Sequence, residues 1–266
     1  MSPTISDIFQ QSFLPTFQYP LKFCAASTLT TYILSLFTGN VSQVDRLWTF
    51  LPTIYTAYWA LLPIWPRGNR GPAWLVPYVP EEVSNDLVQA FSPRAVLMFG
   101  LVVSAHFPYS LHGQLVLVDV QAVLQYLEAR PFQPLFNLTF IAITQNILLL
   151  LLGVPTHRAL TNPTPLIATD AVLTLTALTL LALEFTADNQ QFAYQTFKHA
   201  TTAYDSRAQW PGARFDWTEA DKKRGFVTRG LWAWSRHPNF WCEQSFWVRL
   251  RLPSSQSILF LTHAIS

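Results

Sequence analysis

Charge is scarce in this chain. Asp, Glu, Lys and Arg make up 12% of its 266 residues, about half the share usual for a soluble globular domain. A soluble protein of this length has a large surface to cover with polar side chains, so one large soluble domain or two small ones are both excluded. Cysteine is nearly absent. Cys24 and Cys242 cannot build a disulfide framework, and neither a paired Cys spacing nor a His-Glu-x-x-His motif is present for zinc. The nine glycines are too scattered to make a Gly-x-Gly turn, which removes the Rossmann fingerprint and the P-loop. Residues 1–20 lack a basic start and a continuous apolar stretch, and Pro3, Pro15 and Pro20 interrupt them. They do not read as a cleavable signal peptide, so the first span is expected to serve as an internal anchor.

What the chain has in excess is apolar surface. Hydrophobic residues reach 50% and aromatics 15%, too much for a chain that stays disordered. The uncharged run Leu135–Val154 is long enough to cross a hydrocarbon core of about 30 Å. Leu47–Trp65 is also uncharged and rich in the Trp and Tyr that favour membrane interfaces. Leu166–Leu183 is interrupted only by Asp170, and Leu21–Phe37 only by Lys22, which sits near enough to an end to snorkel. Arg94–Leu111 is weaker, cut by His106 and Pro108, while Phe240–Trp247 and Ile258–Ile265 are too short to span alone. The expected fold is all-α: one integral membrane domain over residues 1–266, a transmembrane helix bundle of about five spans.

Charge is also unevenly placed. Lys198 to Arg251 holds ten basic residues and five acids, so this part carries +5 and the rest −3. A basic juxtamembrane segment belongs on the cytosolic side, which makes residues 199–235 a cytosolic loop broken by Pro211 and Gly212. Counting back through five spans puts the N-terminus in the lumen, although Arg67, Arg70 and Arg94 then lie on the lumenal side too. Nucleic acid is excluded as a partner, since the basic segment adjoins a membrane domain. The partners expected are the lipid bilayer and an apolar, lipid-like substrate. Two tripeptides, Asn40-Val41-Ser42 and Asn137-Leu138-Thr139, match the glycosylation sequon, the second inside a span.

Two stretches carry candidate chemistry. In Glu184–Lys198, a continuing helix puts Glu184, Asp188, Gln191, Gln195 and Lys198 on one polar stripe, with Phe185, Phe192 and Ala193 away from it. Such a stripe faces water as a helix leaves the membrane, or faces the bundle interior and marks a ligand path. Spacing leaves both readings open. In Arg229–Trp247, Pro238 suits the first position of a helix. Arg236 and His237 then sit at a helix N-terminus, where free N–H groups attract anions. Asn239 and Glu243 follow one turn apart. The same stretch also reads as an interfacial amphipathic helix, with its Trp residues among headgroups and its cations on anionic lipid. Six of its nineteen residues are aromatic, and spacing alone favours that second reading.

The segment Ser-Arg-His-Pro-Asn-Phe followed by Glu243, after Gly230-Leu231-Trp232, resembles the signature of the steroid 5-alpha-reductase-like membrane proteins, and within them the group called domain of unknown function 1295. Val44–Ala60, Leu135–Pro155 and Glu184–Lys198 are similar to further segments of that family, in the same order. The resemblance covers roughly residues 43–100 and 132–247. It implies a membrane bundle that takes NADPH from the cytosolic side and delivers hydride to a carbon–carbon double bond conjugated to a carbonyl, in a lipid or steroid-like enone. It implies cofactor-binding roles for Glu184, Asp188, Arg236, His237, Asn239 and Glu243, with phosphate neutralised by Arg236 or the Lys222–Arg224 cluster. Tyr55 is implied as a proton donor, with Trp48 and Trp59 as substrate-wall aromatics. The implied residence is the endoplasmic reticulum.

Two segments depart from the family pattern. Residues 101–131 lack the charged motif expected before the middle span. Residues 248–266 replace an apolar span and a further cofactor-clamping loop, so half the clamp is missing; the abruptness suggests an altered reading frame or splice boundary. Two alternatives therefore accompany the reductase reading. One is a membrane methyltransferase like the isoprenylcysteine carboxyl methyltransferases, which share the Arg-His-Pro element. The other is a truncated, non-catalytic family member.

Overall fold

The computed structural model describes residues 14–39, 43–44, 47–48, 50–72, 74–106, 133–200 and 203–251. The sequon at Asn40, most of the 101–131 segment and the tail beyond residue 251 lie outside the described residues. Those described are helical, without a strand beyond the single bridge pairing Arg67 with Val79. Three helices are long and apolar enough to cross a membrane: Pro15–Thr38, Pro134–Thr161 and Ala168–His199. The fold is thus an all-helical membrane bundle. Washing membranes with alkaline carbonate is expected to leave the protein in the pellet; release to the supernatant would contradict the three spans.

The chain divides into two units, residues 1–166 and 167–266. In the first, α1 (Leu14–Thr38) and α4 (Gln145–Thr161), with the π-helical Asn137–Thr144 leading into α4, are joined by polar contacts. Thr16 Oγ1 lies 2.7 Å from His157 Nε2, and Asn146 Nδ2 donates to Thr31 Oγ1 at 3.4 Å. Asn137 Nδ2 donates to Ser35 Oγ. The rising numbers on α1 meet falling numbers on α4, so the two run antiparallel. Interhelical hydrogen bonds of this kind serve where lipid supplies no hydrophobic drive between helices. Asn137 is 1% exposed, which rules out glycosylation at the second sequon.

Leu47–Trp65 does not form one long helix. Among its described residues the helix α2 covers only Leu51–Ala60, followed by a 3₁₀ turn at Leu62–Ile64. Pro52 starts it, and Pro63 and Pro66 cannot continue it. Its run is apolar because it is the core of the unit, a role suited to helices of 10–14 residues. Tyr55, Tyr58, Trp59, Ala60 and Leu62 are all buried. Of Arg94–Leu111, the part up to His106 is described and lies in the helix α3 (Pro93–His106). Its start is tied down by Ser92, whose hydroxyl donates to the Ala159 carbonyl at 2.7 Å.

The second unit is built on α5 (Ala168–His199). Asp170 caps its start by accepting the Ile167 N–H at 2.9 Å, and Lys198 and His199 complement the dipole at its end. Its buried residues Ala177, Leu180, Glu184, Ala187, Gln190 and Tyr194 recur at helical spacing. Val172, Leu175, Phe185 and Phe192 point outward. A helix that buries Glu and Gln while exposing Phe and Leu suits a lipid surround rather than water. After α5 the basic segment is packed, not loose. Tyr194, Trp217 and Val227 form a small core with Phe197, Tyr204, Phe215 and Trp232 beside it. It contains α6 (Glu219–Arg224), capped by Thr218 and stopped at Gly225 in the left-handed conformation. The unit's last described helix is α7 (Pro238–Arg251), opening at the proline as the sequence predicts.

Candidate functional site

The site is assembled where α7 packs on α5. Asn239 Nδ2 donates to Asp188 Oδ1 at 2.9 Å. One turn further along α7, Cys242 and Glu243 fall within the electrostatic reach of the α5 carboxylates. Glu184 is buried and Asp188 half-buried, while Phe185 and Phe192 on the other side of α5 are exposed. The polar stripe therefore faces the protein interior, the arrangement that in a membrane helix marks a ligand path. Gln191, Gln195 and Lys198 are half-buried, and Lys198 Nζ donates to the Gly225 carbonyl at 3.3 Å. Ala193, expected away from the stripe, is fully buried.

Electrostatics at this contact of α5 and α7 disfavour further negative charge. Burial raises the Glu243 carboxyl above its ordinary value and the Asp188 charge adds to the effect, against a hydrogen bond with Trp247. Cys242 is pushed up to about 11, first by burial and then by Glu184 and Asp188. A buried thiol with so little thiolate is unreactive at neutral pH. Both cysteines, buried in the structure, are expected to resist maleimide in the native protein and to label after denaturation in SDS. Prompt labelling of Cys242 in native membranes would show that this contact is open to water.

Sequence reasoning missed what holds the Arg-His-Pro-Asn segment in place. Gln190 is buried; its Nε2 donates to the Gly212 carbonyl at 3.0 Å, and its Oε1 accepts the Leu231 N–H at 2.9 Å. Gly230 stands against this amide with φ of +63°, and a Cβ there would lie 2.5 Å from Gln190 Oε1. Left-handed backbone and lack of room both require glycine. Trp232 Nε1 then donates to the Ala187 carbonyl at 2.9 Å. The Gly-Leu-Trp tripeptide is thus a clasp on α5 just ahead of α7. A Gln two residues after Asp188 was the available signal, masked because it falls off the regular stripe.

Asp221 was also missed. Its carboxylate accepts the Thr218 N–H at 2.9 Å, Arg224 at 2.9 Å and Arg229 at 2.6 Å. Arg229 also lies over the Trp217 ring. Burial works to raise this carboxyl, but the Thr218 hydrogen bonds and the two guanidinium groups hold it below its ordinary value. Its stabilising effect is therefore complete above the unfolded-state value and is lost as pH falls through the folded one. The consequence for the basic cluster is direct: Arg224 and Arg229 are engaged with Asp221. Lys223, Arg236 and His237 are exposed and Lys222 half-buried.

The remaining candidates belong to the first unit. Trp59 is fully enclosed, its Nε1 donating to the Thr16 carbonyl at 3.2 Å and its ring packed on Phe17 and His157. Tyr55 is buried with the Cys24 thiol beside its hydroxyl. Trp48 is half-buried, its Nε1 3.4 Å from Gln145 Oε1. No cluster of three metal-ligating side chains occurs among the described residues.

Comparison with known proteins adds two findings. The model of a family described as "Protein of unknown function (DUF1295)" matches residues 120–265, more than half of the chain. An uncharacterized protein of Schizosaccharomyces pombe is 28% identical over 227 residues, covering 82% of this chain and 58% of the relative. The chain thus spans little more than half the length of that curated relative. No solved structure matches.

Proposed function

The chain belongs to the steroid 5-alpha-reductase-like family of membrane proteins, the DUF1295 group, and from that premise we propose that it is a membrane reductase that uses NADPH to saturate a carbon–carbon double bond in a lipid or steroid-like enone. The observation that carries the reading is the interior-facing pair of Asp188 and Asn239, joined at 2.9 Å between α5 and α7. Both are half-buried where the two helices meet, beside buried Glu184, and ionisable groups turned inward on a membrane helix are a mark of a ligand path.

The donor set fits the cofactor. Carboxylates at Glu184, Asp188 and Glu243 accept hydrogen bonds from ribose hydroxyls and a carboxamide NH₂, and the Asn239 amide can both donate and accept. The same carboxylates repel phosphate, so exposed Arg236 and Lys223 and half-buried Lys222 are left to neutralise it. When bound, NADPH supplies hydride to the β-carbon of the enone. The chain's own part is to orient the nicotinamide ring and exclude water from it. A proton must also reach the carbon next to the carbonyl. Tyr55 is the sequence-based candidate for that role, and Trp48 and Trp59 are candidates for the substrate wall. Cytosolic exposure of residues 199–235 and residence in the endoplasmic reticulum complete the proposal.

The methyltransferase alternative rests on the Arg236-His237-Pro238 element, and one experiment separates the readings. The full chain, reconstituted in lipid nanodiscs, is equilibrated with radiolabelled NADPH or S-adenosylmethionine. Retention of NADPH alone is the expected result. Retention of S-adenosylmethionine would move the assignment to a methyltransferase, and retention of neither to a non-catalytic family member.

A further inference from the structure

Phe226, Trp234, Phe240 and Trp241 are exposed by 59%, 91%, 60% and 60%, four large aromatic side chains within sixteen residues. From Lys222 to His237 the chain has five Lys or Arg and no acid. Asp221 is ion-paired with both Arg224 and Arg229, which leaves Lys222, Lys223 and Arg236 for an outside partner. The cofactor reading calls on the same cations but has no use for the aromatics.

The depth of this stretch is fixed within its own unit. Trp232 is bonded to Ala187 and Leu231 to Gln190, while the apolar run of α5 ends at Leu183. At 1.5 Å per residue Leu231 and Trp232 lie about 6–10 Å beyond the end of that run, whereas Asp221 and Gly225, bonded to Tyr194 and Lys198, lie about 16–22 Å beyond it. Headgroups occupy roughly the first 5–8 Å outside the hydrocarbon core. Exposed Trp beside Arg, at that depth, is the composition of a membrane interface.

We propose that the 231–241 segment is a docking surface for anionic phospholipid headgroups. Trp234, Phe240 and Trp241 enter the headgroup layer, and Arg236 meets the lipid charge. Because Trp232 and Leu231 clasp α5, lipid engaged here also fixes the start of α7. The surface is distinct in chemistry from the acidic contact of α5 and α7 and does not depend on reductase activity.

The test uses the full chain in nanodiscs of phosphatidylcholine, with or without phosphatidylserine, carrying a bromine at a shallow acyl position. Subtracting the fluorescence of Trp234→Phe from that of the unchanged protein isolates Trp234. The expected result is strong bromolipid quenching of that component, increased by phosphatidylserine, with the increase weakened in Arg236→Gln and kept in Lys223→Gln. With a lysine or arginine near an anionic leaflet worth about five-fold in local binding, Arg236→Gln should raise the phosphatidylserine needed for half-maximal quenching well beyond two-fold. A second reading comes from Ala233→Cys, an exposed position, carrying a spin label while buried Cys24 and Cys242 stay unlabelled. The label should be relaxed by oxygen more than by an aqueous nickel chelate. If aqueous quenchers reach Trp234 and the label equally in both lipids, the surface faces water, a protein partner becomes the better occupant, and the proposal is overturned.

Discussion

Replacing Gly153 with alanine is expected to loosen the first unit, and replacing it with leucine to abolish folding. Gly153 lies in α4 where that helix crosses α2. A Cβ added there would stand 2.8 Å from Trp59 Cζ3, 2.9 Å from Tyr55 Cβ and 3.5 Å from the Thr56 backbone nitrogen. Trp59 cannot swing aside, because its ring is enclosed and its Nε1 is held by the Thr16 carbonyl. Tyr55 Cβ cannot move without its backbone. The helices must part, and overpacking of this kind costs about 1–3 kcal/mol. Alanine also returns up to about 1 kcal/mol of helix propensity, so a reference is needed. Gly100→Ala supplies it, since nothing lies within 4 Å of a Cβ at that position in α3. Cys24 belongs to the same core as Trp59 and Tyr55, so the temperature at which it first reacts with maleimide in detergent reports opening of this unit. That temperature should fall by several degrees in Gly153→Ala and stay level or rise in Gly100→Ala, with Cys242 as the control in the second unit. Equal behaviour of the two variants would mean that α2 and α4 are not in close contact.

How far the sequence could be read depended on what each residue's neighbours were. Pro238 announced the start of α7 because a fixed φ and a missing N–H act locally. The stripe from Glu184 to Lys198 was legible because helical period is local too; which way it faced was not, and the exposure of Phe185 and Phe192 against burial of Glu184 supplied that. The run Leu47–Trp65 misled because a core-buried helix and a lipid-crossing one have the same composition, and only the packing of Tyr55, Tyr58 and Trp59 distinguishes them. Thr31 and Ser35 in the run Leu21–Phe37, and Thr16 just before it, carry no local signal, because their partners Asn146, Asn137 and His157 lie more than a hundred residues away. Asp221 read as one acid among many bases. Its importance lies in Arg224, Arg229 and Thr218 converging on one carboxylate, a geometry that spacing does not encode. The same convergence engages Arg224, one of the cations that the resemblance had left for phosphate.

If NADPH binds, Asn239 and Glu243 are expected to be stronger determinants of its affinity than any single lysine. Lys223 is exposed, and one hydrated charge among several contributes little to a phosphate contact. Asn239 and Glu243 sit on the face of α7 that meets α5, where a lost hydrogen bond leaves a desolvated group unpaired at a cost of about 1–3 kcal/mol, or roughly five- to a hundred-fold in Kd. Asn239→Ala also deprives Asp188 of its 2.9 Å donor, so its effect combines direct contact with a shifted carboxylate. Glu243→Gln is the cleaner change. Burial and Asp188 raise the Glu243 carboxyl in the folded protein, so the folded state binds its proton more tightly than the unfolded one. The associated stability is complete below the unfolded-state value and is lost as pH rises through the folded one. Glutamine removes that loss, and Glu243→Gln should be at least as stable at neutral pH as the unchanged chain while binding NADPH several-fold more weakly. A merely structural glutamate would not separate the two quantities in this way. Isothermal titration and thermal unfolding of the same nanodisc samples measure both. If Lys223→Ala weakens binding more than either α7 substitution, the acidic contact of α5 and α7 does not hold the cofactor, and α7 serves only to anchor the chain at the membrane surface.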